Sequence, residues 1–257
     1  MNKLRIILSL INLKSLLVTV LAVASTYWCL EFELTANFPL TLIATAIVFP
    51  VVFSIGGAYN RREAALDDYG AMKAHGRALY FATRDWLDSP EDATVEKSRE
   101  LLGGLFRSCR ELFTNPVRDM RQNEEAVYAH FSELSLFIKH DLRGNGLASG
   151  EVSRCNQFLS KMFISFESIK HVYQYRTPKT LRAFSDVFIT ILPPLYGPYF
   201  AAISVDYSPN LTYVMPVLFS LILVSLDNIQ SHLEDPFDQV GEDDLAINAE
   251  RFVDRLT

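Results

Sequence analysis

Six carboxylates lie within one short stretch near the C-terminal end of the chain, the thirteen residues HLEDPFDQVGEDD. They are Glu234, Asp235, Asp238, Glu242, Asp243 and Asp244. Calcium prefers hard oxygen ligands, so Glu242, Asp243 and Asp244, together with backbone carbonyls, can hold one such ion. The stretch lacks the fixed ligand order of an EF-hand loop, and an acidic run is also typical of a solvated tail. A calcium site and a solvated tail therefore both stay open.

Elsewhere the sequence offers little that could catalyse a reaction. His130 and Glu133 share a helix face at a spacing that a metal can use, but two ligands do not make a site. No G-x-S-x-G, P-loop, G-x-G-x-x-G or H-E-x-x-H pattern is present. Asp186 is the one acidic residue that can lie at membrane depth or at the membrane interface. We expect no resident metal or cofactor other than the possible calcium, and no enzyme activity.

Long apolar segments place this chain in a membrane. The segment from Phe38 to Tyr59 carries no charge, and at ~1.5 Å per helical residue it can cross a bilayer core of ~30 Å. The four predicted spans are Leu16 to Leu30, Phe38 to Tyr59, Phe184 to Val205 and Leu211 to Leu226. Prolines make the third span the least regular. The first span has a second interpretation, a cleaved signal peptide, because basic residues precede it and AVAS has the small-residue spacing of a cleavage site.

The distribution of basic residues predicts the orientation of these spans. All 24 Lys and Arg residues lie in the N-terminal segment, in the block Asn60 to Arg182 or in the C-terminal tail. By the positive-inside rule, both termini and the block are cytoplasmic. We expect a multi-pass protein of a bacterial inner membrane or another cell membrane. Its predicted divisions are residues 1–59 with two spans, 60–182 as a cytoplasmic helical domain, 183–229 with two spans, and 230–257 as an acidic tail.

The cytoplasmic block reads as helical throughout. Three apolar stripes recur at helical spacing and predict a bundle core rather than a cofactor site. Their members are Leu102, Leu105, Cys109 and Leu112; Val127, Phe131, Leu134 and Ile138; and Leu159, Met162, Phe166, Ile169 and Tyr173. Glycines at 144 and 146 break the chain between the last two stripes. The fold class is therefore an all-α membrane protein with four transmembrane helices and a helical domain inserted between spans 2 and 3.

Residues at the end of the last span resemble those of a known family. The segment from Leu226-Asp227-Asn228-Ile229 to Glu234-Asp235-Pro236-Phe237 is similar to the L-D-x-I turn and E-(N/D)-P-F motif that follow the last span of bestrophins. The acidic run resembles the calcium clasp of animal bestrophins. The segment FPLTLIATAIVFPVVF resembles the pore helix of bacterial members, although Arg62-Glu63 stands where the family has two tryptophans. An extra DQV also separates the Pro-Phe pair from the acidic run.

This resemblance implies a homopentamer around a central anion pore. Thr45, Phe49 and Phe53 match the three apolar rings of the family's neck, with Thr45 as a departure that would wet the outer ring. Their four-residue spacing independently puts them on one ridge of the second span, where they can also be ordinary packing or lipid-facing residues. Arg176, Thr177, Lys179 and Arg182 lie near the family's aperture loop and are candidates for an anion entrance or for interfacial snorkelling.

Three functions therefore stand as hypotheses. The first is a pentameric channel for chloride or other small anions, with the lipid bilayer and its own copies as partners and no role in binding nucleic acid. The second is a non-conducting membrane scaffold or modulatory subunit of the same fold. The third, a membrane enzyme that uses Asp186 and the His130 face, has the weakest support.

Overall fold

A computed structural model of the chain describes residues 12–37, 40–88, 91–115, 119–175, 178–207, 212–237 and 244–256. Within these residues every regular element is helical, so the predicted all-α class is confirmed for the described part of the chain. The α-helices are α1 Leu13–Glu31, α2 Leu40–Asp85, α3 Asp92–Thr114, α4 Met120–Phe137, α5 Ser149–Gln174, α6 Lys179–Leu195, α7 Gly197–Tyr207, α8 Val214–Glu234 and α9 Ala249–Val253. A π-helical segment, Ile138–Leu142, continues from α4.

Four segments of the described chain are long and apolar enough to cross a membrane. They are Leu13–Glu31, Ile43–Asp85, Lys179–Ile203 and Val214–Glu234. Each overlaps one predicted span, so the prediction of four spans is confirmed by length and composition. The 46 residues of α2 extend for roughly 70 Å, more than twice the thickness of a bilayer core. Only part of α2 can therefore lie in lipid, and its charged residues begin at Arg61.

The third span is irregular, as its prolines predict. Helix α6 ends at Leu195 and α7 begins at Gly197, with Tyr196 as a turn between them. In a continuous helix the Pro194 carbonyl would accept a bond from the N–H of residue 198, but Pro198 has none. The Ser25 hydroxyl of α1 donates to that carbonyl instead, at 2.7 Å. A side chain of the neighbouring helix α1 thus bonds to a carbonyl that lacks its usual helical donor.

The chain divides into two compact units, Met1–Asn60 with Thr177–Glu234, and Arg61–Arg176 with Asp235–Thr257. In the first unit, α1 packs against α6, α7 and α8. One cluster of buried apolar side chains joins these helices to the first part of α2. Its buried members are Val18, Ile47, Val51, Ile189, Leu192, Tyr196, Phe200, Leu223 and Val224.

The second unit has its own apolar core. All members of the three predicted stripes are buried in that core, so the prediction of a bundle core is confirmed. Helix α9 packs against α3, where the rings of Phe106 and Phe252 lie 4.2 Å apart between centroids. The predicted break is also present, because Gly146 turns the chain at a φ of +90°, a conformation that favours glycine.

Candidate functional site

The predicted ridge of the second span lies on one exposed side of α2. Phe49 and Phe53 are 58% and 70% exposed, and their ring centroids are 5.8 Å apart. Thr45 lies one turn earlier and is also exposed. Ile47 and Val51, by contrast, are only 3% and 1% exposed because they pack in the core of the first unit. The described residues therefore bury one side of this helix and leave the phenylalanine ridge exposed.

The candidate entrance residues are only partly described. Arg176 and Thr177 lie outside the described residues, and Lys179 is exposed at the first turn of α6. Arg182 forms an ion pair with Glu234, and it also donates to the Ser231 hydroxyl at 3.3 Å. The charge of Arg182 is therefore largely compensated by Glu234, whose side chain is buried. Sequence reasoning named both residues but missed that they meet.

Sequence reasoning also missed a polar cluster that holds the start of α1. The Lys14 ammonium lies 2.6 Å from the Asp227 carboxylate of α8 and 2.9 Å from the Asp186 carboxylate of α6. Beside it, Asn12 donates to the Asn228 side-chain oxygen at 2.9 Å. The only advance signal was the presence of acidic residues in otherwise apolar helices, which usually requires a partner. Asp186 thus has a structural partner, and nothing in the described geometry gives it a catalytic one.

The Pro-Phe pair of the acidic stretch anchors the tail. Phe237 is 1% exposed, and its ring lies 5.1 Å from that of Phe113 and 5.8 Å from that of Tyr173. The carbonyl of Pro236 accepts a hydrogen bond from the Leu245 N–H at 2.6 Å. A buried aromatic ring therefore fixes this segment of the chain in the core of the second unit. Asp235, the second residue of the Glu-Asp-Pro-Phe motif, is half-buried.

The acidic run itself is described only at its end. Glu242 and Asp243 lie outside the described residues, whereas Asp244 is half-buried next to the bonded Leu245. Among the residues that the structure does describe, no three His, Cys, Asp or Glu side chains converge as metal ligands. The ring of His130 contacts only one carboxylate in that part of the chain, Glu133, at 3.0 Å. The helix-face pair predicted from the sequence therefore exists but has no third ligand there.

A buried lysine in the second unit is held by two carboxylates. Lys170 on α5 lies 2.8 Å from Glu124 and 2.7 Å from Glu167, and its neighbour Tyr128 donates to Glu167 at 2.8 Å. Burial disfavours the Lys170 charge, but the hydrogen bonds to these groups outweigh burial and raise its pKa above the ordinary value. The hydrogen bond from Lys170 in turn lowers the pKa of Glu124. A lysine with a raised pKa is a poor base or nucleophile, so this cluster is structural.

Together these features define an integral membrane protein with four helical spans and a separately packed helical unit. Its particular fold is that of the bestrophins. A crystal structure of a bacterial bestrophin homologue from Klebsiella pneumoniae matches with a TM-score of 0.74 at 20% sequence identity, covering 95% of this chain and 96% of that one. A mutant of that homologue matches with a TM-score of 0.72 at 20% identity, over 99% and 98% of the two chains. A variant of a protein described only as a membrane protein matches at 0.73 and 21% identity, over 95% and 96%.

No protein-family model and no curated protein matches the sequence. The structural matches nevertheless confirm, at the level of the fold, the resemblance first seen in the residues after the last span.

Proposed function

We propose that the protein is a homopentameric channel for chloride or other small anions, with Thr45, Phe49 and Phe53 lining its neck. The observation that carries this proposal is the exposed phenylalanine ridge on α2 in a chain with the bestrophin fold. Repeated around a fivefold axis, the ridge would form stacked rings about 6 Å apart, because its members are separated by four helical residues. The opposite side of the helix packs in the core of its own chain.

In a neck of this kind, the presence or absence of water in the constriction would control the passage of ions. A hydrophobic constriction resists hydrated ions until it widens or becomes wet, so two phenylalanine rings would form a barrier that gates the pore. A hydroxyl at Thr45 would hold water at the next ring. The net charge of −6 does not oppose anion flow, because the local potential along the pore, not the total charge, sets ion preference.

Chloride flux from reconstituted liposomes tests this proposal. We expect the pair Phe49→Ala with Phe53→Ala to raise flux or single-channel open probability, because it removes the barrier while leaving the packed side of α2 intact. The matched control is Ile47→Ala with Val51→Ala, two buried residues on the same helix. These deletions leave cavities in the core, so they should lower stability or assembly rather than open the pore.

Two results would contradict the proposed neck. One is an equal change of flux in both pairs at equal reconstitution, and the other is a conducting protein in which the phenylalanine pair changes nothing. Assembly is tested separately by native mass spectrometry, in which we expect pentamers. Pentamers that pass no ions in any variant would instead support the non-conducting scaffold, and a stable monomer would exclude both.

We further propose that calcium binds the acidic run through Glu242, Asp243 and Asp244. Its support is that the adjoining chain is fixed by the buried Phe237 ring and by the bond from Leu245 to Pro236. A ligand that binds only the folded protein raises its melting temperature with concentration. Calcium should therefore stabilise the wild type but not a variant with the three carboxylates changed to amides. A wild type whose melting ignores calcium would make this run a solvated tail.

A further inference from the structure

A small basic cavity lies within the second unit, between α2 and the segment that carries α9. Its volume is about 280 Å³. Among the described residues that line it, every charged side chain is a cation, namely Lys73, Arg77, Arg251 and Arg255. The first pair is separated from the second by more than 170 positions in the sequence. Packing of Phe252 against Phe106 holds α9 where the two pairs meet.

None of these four cations pairs with a carboxylate in the described part of the chain. The three arginines repel the Lys73 ammonium. Arginines elsewhere in the same unit behave differently, because several have a carboxylate within 3.2 Å. These are Arg84, Arg99, Arg110 and Arg121. The cavity therefore concentrates positive charge that the described residues do not neutralise, which is costly without an anion.

The inner cations are held in place rather than freely solvated. The Lys73 ammonium lies 4.3 Å from the centre of the Tyr69 ring, and the Arg77 guanidinium lies 5.9 Å from that of Phe252. The Nε of Arg77 is buried and has no acceptor among the described residues; the same is true of the Nε of Arg99, but Arg99 has a carboxylate partner. Buried donors in folded proteins nearly always have an acceptor. A solvated basic face would explain the exposed Arg251 and Arg255, but it does not explain this unpartnered donor.

We propose that this cavity binds a phosphate or diphosphate group. Guanidinium groups present paired N–H donors that match the oxygens of phosphate, and a multivalent anion offsets several cations at once. At about 30 Å³ per water, the cavity has room for roughly nine waters, which is enough for one or two phosphate groups. This site is separate from the proposed neck and does not depend on whether the protein conducts ions.

Titration of inorganic pyrophosphate into the detergent-solubilised full chain, at constant ionic strength, tests the proposal. We expect saturable binding that Arg251→Gln with Arg255→Gln weakens about tenfold or more, because two charge-assisted contacts are lost. Both residues are exposed, so this variant should fold. Arg77→Lys keeps the charge but removes the buried Nε, and should also weaken binding. The matched control, Arg121→Gln with Lys139→Gln, removes two exposed charges from the same unit and should change affinity by less than about twofold.

The source of the phosphate group is distinguished in nanodiscs. If a lipid headgroup fills the cavity, phosphatidic acid in phosphatidylcholine discs should compete with pyrophosphate, and the Arg251/Arg255 variant should lose that competition. If the ligand is a soluble phosphate, the lipid should have no effect while pyrophosphate still binds. The proposal is overturned if pyrophosphate does not bind, if chloride at the same ionic strength competes equally well, or if the control variant loses as much affinity as the cavity variants.

Discussion

Lys14→Met should loosen the attachment of α1 to α6 and α8. The methionine keeps most of the length of the side chain but removes the charge that lies between Asp186 and Asp227. The two carboxylates are not equivalent, because the Asp227 side chain is 8% exposed and that of Asp186 is 47% exposed. Loss of the ammonium would leave Asp227 as a buried charge without its cation, whereas water can still solvate Asp186.

The magnitude follows from these two environments. Removing one partner of a fully buried ion pair costs about 3–5 kcal/mol, and an exposed pair contributes about 0–1 kcal/mol. The side chain of Lys14 is 32% exposed, so its loss should fall between these limits, at about 2–3 kcal/mol. Asp186→Asn removes only the more exposed contact and should cost about 1 kcal/mol or less.

A second substitution separates the charge from the packing. The double variant Lys14→Met with Asp227→Asn also removes the buried carboxylate that Lys14→Met alone leaves without its cation. Much of the lost stability should therefore return. Neutral replacement of a whole buried pair is often tolerated, in contrast to the loss of one partner. The double variant should therefore be more stable than Lys14→Met alone.

Thermal unfolding in detergent measures these effects. For a chain of this size, 1 kcal/mol corresponds to about 2–4 °C, so Lys14→Met should lower the melting temperature by about 4–12 °C. If Asp186→Asn lowers the melting temperature as much as Lys14→Met does, the buried Asp227 is not the costly partner. The same conclusion follows if Asp227→Asn restores no stability in the Lys14→Met background.

Three further outcomes are expected. Gly197→Ala should lower thermal stability and expression in the membrane. The new methyl carbon would lie 3.0 Å from the backbone carbon of Ser25 and would displace the Ser25 hydroxyl. An unchanged melting temperature would show that α1 and α7 can separate without cost. Glu124→Gln should destabilise the protein most above pH about 4.5, the ordinary pKa of this carboxyl. Because Lys170 lowers the pKa of Glu124 in the folded protein, Glu124 contributes its full stability above that pH and loses it as pH falls through the lowered pKa. The difference in stability from wild type should vanish over the same range, and a difference that stays constant with pH would contradict this. Lys179→Gln should reduce the chloride-to-sodium permeability ratio, and an unchanged reversal potential under a salt gradient would assign this exposed lysine to the membrane interface.

Much of the local structure could be predicted from the residues alone. The four spans follow from unbroken apolar length, and the core stripes of the second unit follow from helical spacing. Prolines at 193, 194 and 198 predicted an irregular third span, and glycine at 146 marked a turn. Each of these features depends on a few neighbouring residues, because hydrogen bonding, backbone freedom and hydrophobicity act at the scale of one or two helical turns.

The partners of the charged side chains could not be predicted in this way. Lys14 meets carboxylates 172 and 213 positions away, and Arg182 meets Glu234, 52 positions away. The same holds for the four cations of the basic cavity, because its two pairs lie far apart in the sequence, one near the start and one near the end of the second unit. Sequence spacing carries no information on such distances, because a charge contributes only through neighbours that packing brings within a few ångströms. The sequence by itself therefore determined which segments are helical and apolar. Only the tertiary structure decided which charges of the described residues are paired with one another and which form the basic cavity.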